Sequence, residues 1–390
     1  MTRWFLHAAL AEPQIVAALA GAAGDVDAPR AELSGHVARV PPGALADVPR
    51  LRPEGDAETP SPAHGAREGA MPVTCDGRIV ELSDAETRIL RLLAAGLRLG
   101  DEGSVQPEGR ATARAFLAPG CSDGQPWDAR LWGRQGWPDL LAGAVSEIRQ
   151  LGRRLTPATM PRRLPMMLSR AAARWLARAG VPASIRSATP ASQVVEVACR
   201  TPHAGFFLTQ SCDLRHPRFA GGLGARVRRE VFVATDAALV LPYDPVRDRV
   251  LLVEQFRIGP YRRGDPRPFV LEPVAGRVDA GETPEQAARR ECAEEAGLDL
   301  HRLRAISSHY CSPGCSTEYF HLFLGLCDLP DTGHGHGGLA AEHEDIRTHV
   351  LGFAEAMQLL ETGEADNGPL VLSLLWLVRE RDFLSRAHGA

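Results

Sequence analysis

GRVDAGETPEQAARRECAEEAGL, residues 276–298, is the stretch on which the reading of this chain turns. Thr283 is a good N-cap, Pro284 suits the first helical position, and Gln286 completes a capping box. Gly297 supplies the left-handed residue that closes a helix. The spacing therefore predicts a helix over about 284–296. Glu291, Glu294 and Glu295 stand on it at i, i+3 and i+4, which is one face. Three carboxylates crowded there repel one another unless a cation neutralises them, and hard oxygen ligands suit Mg²⁺ or Mn²⁺. Ala287, Ala288, Cys292 and Ala296 are small and let the helix pack closely. Taken alone, E-x2-E-E reads as a solvated acidic face, which is common on helices, so the residues around it decide.

Gly276 is followed by five residues and Glu282. Seven more lead to Arg290-Glu291, then Cys292, one residue, Glu294-Glu295, one residue, and Gly297-Leu298. This resembles the Nudix box, G-x5-E-x7-R-E-U-x-E-E-x-G-U with U apolar, at every fixed position, cysteine counting as a small apolar residue. The resemblance implies an α/β fold, an α/β/α sandwich with a mixed sheet, in which the box is a loop–helix–loop. It implies metal ligation by Glu291 and Glu295, with Glu294 beside them and the backbone carbonyl of Ala275 as a further ligand. Gly276 and Gly297 shape the loop and the helix end, while Glu282 and Arg290 hold them by charge pairing. Metals so held would neutralise a diphosphate and activate water for attack at phosphorus.

The flanks narrow the resemblance. VLPYDPVRDRVLLVEQFRIGPY (240–261), PFVLEPVAG (268–276), SPGCSTEYFHLFLG (312–325), LAAEHEDIRTHVL (339–351) and EADNGPL (364–370) resemble ADP-ribose pyrophosphatases. Some bacterial members are linked to tellurite resistance, and the whole plan of the chain resembles those. In Glu342-His343-Glu344-Asp345, the resemblance implies Glu342 as general base and Glu344 near the metals. A metal-bound water and a carboxylate base suffice for in-line diphosphate cleavage. Arg257 is implied at the pyrophosphate, Arg229 and Glu230 near the nucleotide, Phe206 stacked on adenine, and Glu318 on another loop near the site. Each of these also reads plainly as a salt-bridge or core residue. A homodimer is implied. The implied reaction is hydrolysis of ADP-ribose to AMP and ribose 5-phosphate. Alternatives are another nucleotide sugar, such as GDP-mannose, and a non-catalytic ADP-ribose sensor; the intact glutamates count against the sensor.

The composition is that of a folded protein of 390 residues, 44% hydrophobic and 24% charged. All 44 basic residues are arginine, which excludes Schiff-base, pyridoxal-phosphate and P-loop lysines. A net charge of −4 argues against general nucleic-acid binding. No stretch approaches the ~18 apolar residues of a membrane span, and a reducing, cytoplasmic setting is expected. Eight cysteines are too sparse for a disulfide framework. Cys75, Cys121, Cys199, Cys212 and Cys327 sit alone, and Cys311 and Cys315 form a C-x3-C with no second pair to make a zinc site. His334 and His336, among glycines, read as a loop and not as metal ligands.

Three segments are expected: a small α+β domain at 1–155, a helical linker at 156–188, and the Nudix domain at 189–385. The first resembles the gamma-glutamylcyclotransferase-like fold with its chemistry missing. The place of its Y-G-T-L turn reads Leu6-His7-Ala8-Ala9-Leu10. No carboxylate follows the helix at 84–97, and Glu102 falls in a GDEG turn. Strands are expected at 4–10, 31–40, 73–82 and 110–117, then at 194–200, 206–213, 227–235, 237–242, 249–257, 303–310, 318–327 and 348–351. Helices are expected at 84–97, 138–151, 165–179, 353–362 and 368–383. The arginines of 165–179 read as a solvated face, with Met166, Met167, Leu168 and Trp175 inward.

Overall fold

A computed structural model describes residues 1–21, 28–34, 36–40, 50–53, 74–117, 125–126, 132–133, 136–331, 334–338 and 344–388. The chain divides into two compact units, Met1–Glu230 and Val231–Ala390. No helix among the described residues is long and apolar enough to cross a membrane.

The first unit opens with β1 (Thr2–His7), followed by α1 (Pro13–Ala20), β2 (Arg30–Ser34), β3 (His36–Val40), β4 (Arg50–Pro53) and β5 (Thr74–Leu82). Next come α2 (Asp84–Leu97), β6 (Asp101–Val105), β7 (Ala113–Leu117) and the short β8 (Gln125–Pro126). The eight strands form a mixed sheet, β2-β5-β1-β7-β4-β3-β8, with β6 on β7. Ser83 caps α2 and Glu86 returns the bond, while Ile89, Leu90, Leu93 and Leu97 are buried as the helical period requires. Helices α3 (Trp137–Leu151) and α4 (Met160–Leu176) pack on each other. The unit ends with a three-stranded sheet of β9 (Val195–Ala204), β10 (Leu208–Arg215) and β11 (Val227–Val233), antiparallel between β9 and β10, and the last residues of β11 belong to the second unit.

The first strand stops at His7, and Ala8–Ala11 is a 3-10 turn leading into α1, which the sequence reading lacked. Glu102 lies in β6 rather than in a turn, with its pKa held down by its hydrogen bonds to Arg91. Helix α4 begins at Met160 and carries Pro165 inside it. Trp175 is exposed, whereas Met166, Met167 and Leu168 are buried. The arginine face of α4 is only partly solvated. Arg170 is 3% exposed and forms a two-point pair with Glu147, Nε–Oε2 3.0 Å and Nη2–Oε1 2.6 Å. Cys199 and Cys212 do not sit alone: they face each other across β9 and β10 and are joined as a disulfide.

The second unit contains β12 (Asp236–Asp244), β13 (Arg249–Phe256), α5 (Ile258–Arg263), β14 (Phe269–Glu272), β15 (Val274–Arg277) and α6 (Pro284–Ala296). It continues with β16 (Arg302–Tyr310), β17 (Tyr319–Leu326), β18 (His334–Gly337), β19 (Ile346–Gly352), α7 (Phe353–Thr362) and α8 (Gly368–His388). The sheet runs β16-β17-β12-β13-β19-β18, with β14 on β13 and β15 on β12. Pairing of β12 with β17 is parallel and the other pairs are antiparallel, so the sheet is mixed as expected. Leu241 and Tyr243, Val250 and Leu252, and Leu324 and Leu326 share a cluster with Leu359 of α7 and Leu370, Leu374 and Leu377 of α8. That period of two on three adjacent strands gives the sheet one buried face for these helices. Helix α6 packs on β12 and β15 through Ala287, Ala288 and Cys292, all fully buried. The glycine–histidine stretch at 334–337 is not a loop but a strand on β19, and β14 and β15 were also unforeseen.

Candidate active site

Helix α6 forms where its caps place it. Thr283 Oγ1 accepts from the Gln286 N–H, Gln286 returns a bond to the Thr283 N–H, and Gly297 takes the left-handed conformation with φ 63°. The inward edge of α6 carries Glu291 and Glu295. Glu295 is 2% exposed, and its Oε2 accepts from the Ala275 N–H at 3.1 Å. Ala275 and Gly276 lie in β15, so the strand directly before the box lines the site. Gly276 is required by close approach: a Cβ there would occupy the Glu291 carboxylate. Gly337 of β18 likewise packs on the backbone of Glu295, and Gly338, with φ 90°, lies against the Cβ of Glu344.

The charges at this edge are unbalanced. Burial raises the Glu291 pKa; Arg290 opposes the rise, while Glu294 and Glu344 add to it. Burial drives Glu295 further, to about 8, against the Ala275 N–H and the charge of Arg257 and with the repulsion of Glu291 and Glu344. Carboxyls pushed up by burial and by one another are groups that a cation would stabilise in their charged form. Buried Glu295, half-buried Glu291 and the Gly276 cradle therefore fit a divalent ion held by oxygen.

Arg290 supplies the framework of the site. Its guanidinium donates to Glu282 at 2.8 and 3.0 Å, to Glu291 at 2.7 Å, to Glu294 at 3.0 Å and to the Arg277 carbonyl at 3.1 Å. Burial pushes Glu282 up, but the hydrogen bond and charge of Arg290 and the Asp279 N–H more than reverse this, leaving its pKa low. The loop from β15 to α6 is thereby tied to the middle of the helix.

A second group converges from β13, β14 and the β16–β17 loop. Arg257 Nε donates to Glu272 Oε2 at 2.8 Å, and its charge is felt by Glu295 and Glu318. Burial raises Glu272, with Arg257 opposing. Burial also raises Glu318, opposed by Cys311 and Arg257. Glu272 was not foreseen; the only signal was a single carboxylate at the end of the apolar run PFVLE.

Ala275, Gly276, Glu282, Arg290, Glu291, Glu294, Glu295, Glu344, Arg257 and Glu318 thus belong to one region of the second unit. Glu342 lies outside the described residues. Phe206, Arg229 and Glu230 belong to the first unit. There, Phe206 is 59% exposed and meets Phe207 edge-on at 4.8 Å, while Arg229 and Glu230 are exposed on β11.

The family model for the NUDIX domain matches residues 234–374. An ADP-ribose pyrophosphatase of Escherichia coli (strain K12) is 44% identical over 184 residues, 47% of this chain and 87% of that protein. One from Haemophilus influenzae is 41% identical over 180 residues, 46% of this chain and 82% of that protein. A GDP-mannose pyrophosphatase of Escherichia coli O1:K1 is 34% identical over 152 residues, 39% of this chain and 78% of that protein.

Proposed function

The chain belongs to the Nudix family, and we propose that within it this enzyme hydrolyses ADP-ribose to AMP and ribose 5-phosphate. The carrying observation is the knot of carboxylates formed by buried Glu295 and half-buried Glu291 and Glu344, with Arg257 beside it. The greater likeness to ADP-ribose pyrophosphatases than to a GDP-mannose pyrophosphatase supports the substrate, 44% identity against 34%.

Glu291, Glu295, Glu344 and the Ala275 carbonyl would hold Mg²⁺, with Mn²⁺ as an alternative. When bound, such ions neutralise the diphosphate and lower the pKa of water. The remaining roles fall to the chain. Arg257 neutralises and orients the pyrophosphate, and Glu272 fixes its guanidinium. Glu342 takes the proton of the attacking water, and Glu294 and Glu318 complete the acidic lining. Phe206, Arg229 and Glu230 serve the nucleotide. The working form is a cytoplasmic homodimer of the tellurite-resistance-associated type, and its first segment is a cyclotransferase-like scaffold without that fold's catalytic glutamate.

The test is phosphate-coupled turnover of ADP-ribose with Mg²⁺, beside a panel of nucleotide sugars, for wild type and Glu295→Gln. ADP-ribose should lead and the variant should be nearly inactive. If GDP-mannose leads, the substrate assignment falls while the chemistry survives. Tight ADP-ribose binding without turnover would replace the enzyme by a sensor.

A further inference from the structure

The first unit carries a cluster unlike the acidic pocket. Cys199 and Cys212 stand directly opposite each other in the antiparallel pair β9–β10. Glu196 is three residues before Cys199 and in a regular strand would point to the opposite face. It does not, because the register shifts between Asp213 and Leu214. Asp213 pairs with Ala198 and Leu214 with Glu196, leaving Val197 as an extra residue. A bulge of this kind inverts the alternation beyond it and re-aims a side chain. One carboxylate oxygen and the two sulfurs consequently lie within 4.8 Å of one another.

We propose that the reduced β9–β10 hairpin is a binding site for a thiophilic divalent cation of the Zn²⁺ class, with Cys199, Cys212 and Glu196 as ligands. The site is gated by the disulfide that joins the two cysteines. A dithiol or phosphine reductant delivers two electrons, the S–S bond breaks, and two thiols form as the reductant is oxidised. On binding, the cation displaces both thiol protons to solvent. Two thiolates, one carboxylate and a water make the four-coordinate shell that Zn²⁺ favours. Thiolate donors discriminate against Mg²⁺, so this site and the acidic pocket sort metals by softness. Glu196 is exposed and the cysteines half-buried, which gives the ion an open approach.

The test uses the full chain, reduced with a phosphine that is then removed under argon. Excess Mg²⁺ is present, and Cys311→Ser and Cys315→Ser remove the other thiols exposed among the described residues, with Cys121→Ser added in every protein compared. Zn²⁺ is titrated against a chromophoric chelator. The reduced protein should take up one equivalent more than the oxidised protein, and Cys199→Ser/Cys212→Ser should lose that equivalent. Glu196→Gln, at an exposed position that does not threaten folding, should keep the stoichiometry and bind more weakly. Co²⁺ should give a near-ultraviolet thiolate charge-transfer band that vanishes with the cysteines. Equal uptake by reduced and oxidised protein, or a cobalt band unchanged in the double variant, overturns the proposal.

Discussion

Replacing Glu295 by glutamine should make the metal-free protein more stable at pH 8 while abolishing activity. The side chain is 2% exposed, and its pKa rises from 4.5 to about 8, chiefly through burial. The folded state therefore holds this proton more tightly than the unfolded chain, and stability falls as pH rises from the unfolded value through the folded one. Each pKa step is about 1.4 kcal/mol, so a fully ionised Glu295 in the metal-free fold costs on the order of 5 kcal/mol. Glu291 and Glu344 share that repulsion, and a gain of roughly half this size is the conservative expectation. Glutamine has no proton to lose, and its Oε1 can still accept from the Ala275 N–H. The assay is urea denaturation in chelator at pH 5 and pH 8. The two proteins should coincide near pH 5, and at pH 8 the variant should unfold at a midpoint higher by about 1 M. Added Mg²⁺ should close the gap by stabilising only the wild type. A variant no more stable than wild type at pH 8 in chelator would refute the claim that Glu295 is a strained acid awaiting a cation.

Gly276→Ala should destroy turnover without unfolding the sheet, because the new methyl takes the space of the Glu291 carboxylate; loss of Mg²⁺-induced thermal stabilisation alongside activity would establish the cause. Arg170→Ala removes the two-point partner of buried Glu147, leaving it the charge of Arg174, and should cost about 3 kcal/mol, whereas Glu147→Leu/Arg170→Met should recover part of it, read by thermal unfolding. Asp248 receives the Arg381 guanidinium and the Tyr243 hydroxyl, and these bonds lower its pKa from 3.8. Its stabilisation is therefore complete above that ordinary value and lost as pH falls through the lower folded one. Asp248→Asn, which tolerates the left-handed φ of 56°, should melt below wild type at pH 7 and converge with it in acid.

What the sequence disclosed about this fold was what is local in the chain. Capping residues, helical spacing and the terminal glycine fix α6 without reference to anything distant, so the face bearing Glu291 and Glu295 was legible residue by residue. The strands were harder in proportion to their shortness. β14 and β15 span four residues each and flank Pro273, which reads as a loop signal. With β14 unseen, Glu272 had no assigned direction. Arg170 reads as solvated from sequence because the carboxylate it pairs with lies 23 positions earlier on another helix. Burial of an arginine is a property of the pair and leaves no mark at either residue alone. The Cys199–Cys212–Glu196 cluster is the extreme case. Strict alternation puts Glu196 on the wrong face, and only the register shift at Val197 brings it round. A bulge is decided by which strand pairs with which, so a one-dimensional periodicity will misplace every side chain beyond it. The acidic site and the thiol site thus differ in kind. The carboxylate face at the centre of the first is written on a single helix, whereas the second exists only once two strands have chosen their register.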